Sequence, residues 1–210
     1  KSLPLEAAFS SKGIYRAEVR GEAVISKERF KAINAFRAEE GLSLLANSRN
    51  SATGGLRTKD PSETARRQLD AFIFQLGYAV DKNGRDVLPA IKSHHDAIDF
   101  LGNIGFKVSR GEKKLCHGIQ EVIDQCNHWA LIRDEYPFEI DGMVIKVDSF
   151  DLQDMCGYTS HHPRWAIAYK FQAKQATTKL LDIEYQIGKI GSITPVAKVE
   201  PVSLAGVTIS

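Results

Sequence analysis

The chain has 210 residues, 43% of them hydrophobic, which is enough for one large domain or for one domain with part of another. Its 28 basic and 26 acidic side chains nearly cancel, so the net charge by itself predicts no nucleic-acid partner. The three widely spaced cysteines do not make a disulfide framework and favour a reducing cytoplasm, and no apolar run is as long as a membrane span.

The first part of the chain predicts a strand followed by two helices. Alternation over 14–25 indicates the strand. Ser26 is a good N-cap for a helix that runs through Glu40. The polar segment 46–57 contains two adjacent glycines and predicts a loop, whereas Asp60, followed directly by a proline, opens a short helix.

The rest of the chain predicts a strand at 69–78 and helices at 93–101 and 118–132. After Phe171 the sequence changes to short strands and turns, with strands expected at 180–187, 196–202 and 207–209. We therefore expect a domain boundary near Gln172, with one domain in 1–172 and the beginning of another in 173–210.

Two further strand-like segments, 139–147 and 163–171, each carry one lysine among apolar and small residues. An unpaired buried cation is costly, so Lys146 and Lys170 each need an anionic partner. Lysine at the end of an apolar strand commonly holds a phosphate as a point charge. Two alanines share a face with Lys170 and leave room for a ligand, so this pattern indicates nucleotide chemistry.

Three other segments have a structural and a functional interpretation. Asp141-Gly142 is either a tight turn or a turn whose carboxylate binds Mg²⁺, although strict alternation places Asp141 and Lys146 on opposite faces. The charged strand 18–22 is either a solvated edge or supplies a carboxylate to a ribose or a cation. The segment from Arg49 to Arg57 is either a flexible loop or a phosphate-binding surface.

The histidines and cysteines give weaker signals. The pairs 94–95 and 161–162 flank predicted elements, so we expect both pairs at the surface. The cysteines and histidines between 116 and 128 lack the close spacing of a zinc site.

Five segments, in this order, resemble the bacterial NAD-dependent DNA ligases, a family within the covalent nucleotidyltransferases. They are Glu-Val-Arg-Gly-Glu at 18–22, Ala-Asn-Ser-Arg-Asn at 46–50 continuing to Gly-Leu-Arg at 55–57, Phe-Glu-Ile-Asp-Gly-Met-Val-Ile-Lys-Val at 138–147, Pro-Arg-Trp-Ala-Ile-Ala-Tyr-Lys-Phe at 163–171, and the segment 188–207. Single motifs of this kind are weak, but five in sequence make the resemblance specific.

The resemblance implies a nucleotide site. Phe74 would stack on the adenine, and Glu22 would contact the ribose or assist a metal. Lys146 and Lys170 would neutralise the phosphates during transfer and, with Asp141, form the catalytic set. These residue types suit a reaction that proceeds by positioning and charge neutralisation.

The resemblance also implies contacts with DNA and metal. Arg49 and Arg57 would hold the AMP phosphate or the 5′-phosphate of a nick, with Arg133 and Lys189 as further phosphate-binding candidates. Asp141 and Glu22 would bind Mg²⁺, with Mn²⁺ as the alternative metal. Zn²⁺ is expected only in a zinc finger of the parent protein outside this chain.

The implied fold is α+β: an ATP-grasp-like nucleotidyltransferase core, with antiparallel sheets flanked by helices, followed by the first strands of an OB-fold β-barrel. The implied enzyme uses NAD⁺ to seal nicks in duplex DNA during replication and repair. We expect a monomer in the bacterial cytoplasm, associated with the nucleoid and without membrane contact.

One departure from the family pattern affects activity. The family's nucleophilic lysine lies in a Lys-x-Asp-Gly motif, and the Asp-Gly of this chain, at Asp141, is preceded by Glu139 where the lysine would stand. We therefore expect that the chain begins after the nucleophile and does not adenylylate itself. Two alternatives remain open: an ATP-dependent polynucleotide ligase or capping-type nucleotidyltransferase, and a non-catalytic DNA-binding remnant.

Overall fold

A computed structural model describes residues 3–173, 175–204 and 207–210. After a short 3-10 turn at Phe9–Lys12, the elements follow in chain order as β1 (Arg16–Val24), α1 (Lys27–Glu39), α2 (Ser48–Arg57), α3 (Pro61–Arg67), β2 (Asp70–Val80), α4 (Leu88–Ile91), α5 (His94–Asn103), α6 (Ile119–Ile132), β3 (Gly142–Lys146), α7 (Phe150–Cys156), β4 (Ala166–Lys170), β5 (Leu180–Ile187), β6 (Ile193–Val199), β7 (Val202–Leu204) and β8 (Val207–Ile209).

The strands form antiparallel pairs: β1 with β2, β3 with β4, β5 with β6, and β7 with β8. The helices lie between and beside these pairs, so the expected α+β class, with antiparallel sheets and helices, is confirmed. Among the described residues no helix is long and apolar enough to cross a membrane.

The main core joins β2 to α5. Leu76 and Ala79 from β2 and Ala97 and Leu101 from α5 are at most 2% exposed. Ser93 caps α5 by accepting a hydrogen bond from a backbone N–H of the first turn. This packing holds the first turn of α5 beside β2, where the candidate site lies.

Strand β2 contains an irregularity at Phe74. Arg20 pairs with Gln75 and Gly21 pairs with Ile73, so Phe74 is an extra residue with no partner in β1. Such a bulge interrupts the ladder and redirects the side chain and carbonyl of the extra residue. Gly21 allows the strands to approach closely here, because a Cβ at this position would lie 2.7 Å from Phe72 O.

Segment 46–57 was predicted to be a loop, and that prediction is wrong: its larger part forms helix α2. Asn47 caps the helix, since its side chain accepts a hydrogen bond from Asn50 N at 2.7 Å. Gly54 and Gly55 face the side chain of Arg67, and a Cβ on Gly55 would lie 2.8 Å from that side chain. The two glycines therefore serve close packing between α2 and α3.

The other elements largely follow the predictions. Ser26 and Asp60 cap α1 and α3 as expected. Helices α4 and α7 were not predicted. The single strand expected at 196–202 is wrong, because β6 ends at Val199 and β7 begins at Val202. Pro201 lies in the interruption and has no N–H to donate to a ladder.

Candidate functional site

The two predicted lysine strands pair with each other, and we call β3 and β4 together the lysine ribbon. Lys146 stands opposite Ala166, and Gly142 stands opposite Lys170. Directly paired residues share a face, so both lysines project from the same face, four pairs apart, or about 13 Å along the ribbon. Ala168 and its partner Val144 lie between them and are both exposed, so no other part of the fold covers the middle of this face.

Gly142 makes the pairing possible at the Lys170 end. A Cβ on Gly142 would lie 2.2 Å from Tyr169 O and 3.0 Å from the Cα of Lys170. Phe171 N donates to Asp141 O at 3.0 Å and continues the pairing beyond the ribbon. Only glycine permits this approach of the two backbones.

Asp141 lies at the Lys170 end of the lysine ribbon. Lys170 Nζ donates to Asp141 Oδ2 at 2.9 Å. This bond, and after it the charges of Lys170 and Arg49, hold the pKa of Asp141 below its usual value. Asp141 thus pairs with Lys170, and its predicted role as an Mg²⁺ ligand near the phosphate held by Lys146 stays a prediction.

Arg49 joins β1 to the lysine ribbon through two longer ion pairs. Its guanidinium lies 3.6 Å from Asp141 Oδ2 and 3.9 Å from Glu22 Oε1. Helix α2 places Arg49 there, because the buried Ser48 donates to Glu139 Oε2 at 2.7 Å just before the ribbon. The side chains of Glu22, Arg49 and Asp141 are at least 60% exposed, so each pair contributes at most about 1 kcal/mol.

Lys146 lies in a different environment, half-buried at the other end of the ribbon. Its Nζ is 3.4 Å from Phe74 O and 5.3 Å from the centre of the Phe74 ring. The bulge in β2 makes that carbonyl available, because Phe74 has no partner in β1. Burial disfavours the charged form and lowers the pKa of Lys146 to about 8.

His94 completes the wall around Lys146. Its Nε2 lies 3.4 Å from Lys146 Nζ. Burial, and after it the charges of Lys146, Lys113 and His95, lower the pKa of His94 to about 4, so the ring is neutral at pH 7. His94 was predicted to be a surface residue, and that prediction is wrong, because the first turn of α5 carries the ring into the cavity wall.

A cavity of about 570 Å³ lies at the Lys146 end of the ribbon. Its lining includes residues from four strands and one helix, together with the residue before β4: Glu22, Phe74, His94, Lys146, Trp165 and Ala166. The volume is within the range of small-molecule sites, and an aromatic ring, a carboxylate and a lysine are present in one lining. Arg49, Asp141 and Lys170 are not part of this lining and lie on the neighbouring open face.

Three predicted phosphate-binding residues lie apart from the cavity lining. Arg57 is exposed at the end of α2, and Lys189 is exposed in the turn between β5 and β6. Arg133 donates to Gln172 O at 3.0 Å and lies over the ring of Phe171, 5.7 Å from its centre. Their predicted roles on DNA stay predictions.

The predicted metal ligands do not form a preformed metal-binding site. Asp141 binds Lys170, and both Asp141 and Glu22 face Arg49, so cations already neutralise these carboxylates. The described ranges contain no cluster of three or more histidine, cysteine or carboxylate side chains suited to a metal. The direct Mg²⁺ role of Asp141 and Glu22 therefore stays a prediction that this geometry does not support.

Together, the cavity and the open face of the lysine ribbon combine an exposed aromatic ring with two lysines, the groups that suit an anionic ligand with a flat ring system. Such a site is typical of a nucleotide-binding domain. A sequence model of the NAD-dependent DNA ligase adenylation domain matches residues 1–174, and a model of the OB-fold domain of these ligases matches residues 177–210. The chain therefore belongs to the NAD-dependent DNA ligase family.

Curated relatives agree with this assignment. The chain is 56% identical to a DNA ligase of Persephonella marina over 211 residues, and 49% identical to a DNA ligase of Aquifex aeolicus over 210 residues. Both alignments cover 100% of this chain but only 30% and 28% of those ligases. The chain thus spans less than a third of the relatives it matches.

The importance of Gly142 can be tested by substitution. Gly142→Ala should lower the free energy of unfolding by about 1–3 kcal/mol, because its methyl group overlaps the backbone of β4. The control is Gly111→Ala, since a Cβ on Gly111 meets nothing within 4 Å. Urea unfolding measures both, and equal stability of the two variants would contradict the described ribbon geometry.

Proposed function

We propose that this chain is the part of an NAD-dependent DNA ligase that binds the AMP portion of the nucleotide and the phosphates on which the enzyme acts. Residues 1–172 form the C-terminal part of the adenylation domain, with an ATP-grasp-like core, and residues 173–210 begin the OB-fold barrel. The observation that carries the proposal is the partly desolvated Lys146 beside Phe74 in a cavity of nucleotide size.

In this proposal the cavity binds the nucleoside. Phe74 offers its ring to the adenine, since it is 45% exposed and borders the cavity. Glu22 borders the same cavity and accepts hydrogen bonds from the ribose hydroxyls. Lys146 provides the cation for the phosphate attached to that ribose. The three residues come from β1, β2 and β3, so the fold brings them together only when both strand pairs are formed.

Lys170 and Arg49 serve the outer phosphates. Their ion pairs with Asp141 are exposed and weak, so an incoming phosphate can replace the carboxylate at little cost. Phosphate accepts charge-assisted hydrogen bonds that are stronger than neutral ones. Lysine has a flexible stem of four carbons, which allows Lys146 and Lys170 to approach one pyrophosphate from the two ends of the ribbon.

The proposed reaction has three steps. A lysine supplied outside this chain attacks the adenylyl phosphorus of NAD⁺, forms a lysyl-AMP bond and releases nicotinamide mononucleotide. The AMP then passes to the 5′-phosphate of a nick in duplex DNA, and finally the 3′-hydroxyl displaces AMP. In each step Lys146 and Lys170 offset the negative charge that develops on the phosphate oxygens.

Partners follow from the same proposal. Nicked duplex DNA is the macromolecular substrate, with Arg49, Arg57, Arg133 and Lys189 as contacts to its phosphates. Bound Mg²⁺ would supply further neutralisation of the charge on the nucleotide phosphates; Asp141 and Glu22 would hold it only after exchanging their present cationic partners. We place the protein in the bacterial cytoplasm as a monomer associated with the nucleoid.

Binding of AMP should depend on the protonation of Lys146. Its pKa is about 8, so the ammonium is lost as the pH rises through 8, and affinity for AMP should then fall by up to about tenfold per pH unit. Below pH 8 the cation is present, and the AMP phosphate remains a dianion down to about pH 6. Isothermal titration calorimetry across pH 6.5–10 measures this fall in AMP affinity.

The matched variant is Lys146→Arg, which keeps its charge throughout this range. The AMP affinity of this variant should not fall above pH 8, even if its affinity at pH 7 is lower than that of the unaltered chain. Lys146→Met should bind AMP weakly at every pH. An unchanged fall above pH 8 in Lys146→Arg would show that another group controls the binding.

The enzyme class is tested by intact mass spectrometry. The chain extended upstream to include the family's lysine motif is incubated with Mg²⁺ and either NAD⁺ or ATP, beside the 210-residue chain as control. We expect an AMP adduct from NAD⁺ on the extended protein and none on the control. An adduct from ATP alone would indicate an ATP-dependent relative, and no adduct from either would favour a DNA-binding remnant.

A further inference from the structure

The ammonium of Lys146 has two partners in the protein. A lysine ammonium carries three N–H donors and no acceptor. Its Nζ lies 3.4 Å from Phe74 O and 3.4 Å from His94 Nε2. Both distances are longer than those of ordinary hydrogen bonds, so both contacts are weak. The arrangement leaves one N–H of Lys146 for an acceptor inside the cavity.

His94 can be a partner of a cation only as a neutral acceptor. Its Nε2 then holds a lone pair, and the ring proton is on Nδ1. The charges of Lys146, Lys113 and His95 all oppose a positive charge on the ring, and the nearby carboxylate of Asp148 accepts a hydrogen bond from His95 N. Protonated His94 would place two cations 3.4 Å apart, so the neutral ring is the form compatible with the fold at pH 7.

The position of the His94 ring is set by the backbone at the end of β3. His94 N donates to Asp148 O at 2.8 Å, and His95 N donates to Asp148 Oδ1, also at 2.8 Å. Asp148 is two residues after Lys146 in the chain. The first turn of α5 and the lysine of β3 are therefore held in register by the same short segment.

We propose that His94 is a positioning residue for Lys146: its Nε2 accepts a hydrogen bond from the ammonium and holds it beside Phe74, so that the remaining N–H meets the phosphate of a bound nucleotide. The identity of that nucleotide rests on the proposed function, but the contact between His94 and Lys146 does not. His94 acts on the reaction through Lys146 and does not itself touch the reacting atoms.

The proposal is tested with two amide variants on the complete 210-residue chain. In His94→Gln the amide oxygen reaches the place of Nε2, whereas in His94→Asn the side chain is too short. The pKa of Lys146 is followed by NMR of labelled lysine side chains, with Lys146→Arg to assign the signal. AMP affinity is measured at pH 8 in the same variants.

We expect His94→Gln to keep the pKa of Lys146 near 8 and to bind AMP as the unaltered chain does. His94→Asn should lower the pKa of Lys146 by roughly half a unit to one unit, the effect of losing one hydrogen bond to the charged form, and weaken AMP binding about two- to tenfold. If His94→Asn does not fold, His94→Leu replaces it with the same expectation. His95→Asn is the control, because the His95 ring pairs with Asp99 at 3.4 Å and should leave the pKa of Lys146 unchanged.

Two results would overturn the proposal. One is a pKa of Lys146 that stays near 8 in His94→Asn. The other is an equal loss in His94→Gln and His94→Asn, which would indicate a packing role for the ring. If the unaltered chain binds no AMP, the proposed function fails, while the pKa of Lys146 in the variants still decides whether His94 positions the ammonium.

Discussion

The arrangement of the site depends on the antiparallel pairing of β3 with β4. The register places Lys146 and Lys170 on one face with the exposed pair of Val144 and Ala168 between them, and the close contact at Gly142 allows no larger side chain at the Lys170 end. A slip of one residue would move one lysine to the opposite face. Asp141 contacts Lys170, and Phe74 and His94 contact Lys146, so the main contacts of the site are made to these two lysines.

The two lysines differ in exposure and in their charge partners, and this difference affects how each would bind a phosphate. Lys170 is exposed and paired with Asp141 by a bond that water and salt weaken. Lys146 is half-buried against Phe74 and His94, and no carboxylate among the described residues forms an ion pair with it, so its two long contacts compensate only in part for the water that the ammonium has lost. In the proposed function, an incoming phosphate would complete that compensation at Lys146, whereas at Lys170 it would first have to displace a carboxylate. We infer that Lys146 contributes more to nucleotide affinity.

Local signals in the sequence were sufficient for the helices with clear caps, the lysine strands and their open face. They failed where tertiary contacts decide the structure. The glycines of α2 have a packing role against Arg67 that composition does not reveal, so the sequence predicts a loop where the structure has a helix. The bulge at Phe74 depends on the register with β1, and the burial of His94 depends on Asp148, 54 positions later in the chain. Neither the bulge at Phe74 nor the burial of His94 changes the hydrophobic periodicity of the sequence, so neither could be predicted from it.

A crystal structure of this chain with AMP is the decisive test of the nucleotide site. We expect adenine against the Phe74 ring, with the phosphate within hydrogen-bond distance of Lys146 Nζ and on the face that also carries Lys170. Phosphate bound instead to Arg57 or Arg133, with the cavity beside Lys146 unfilled, would show that the nucleotide binds elsewhere.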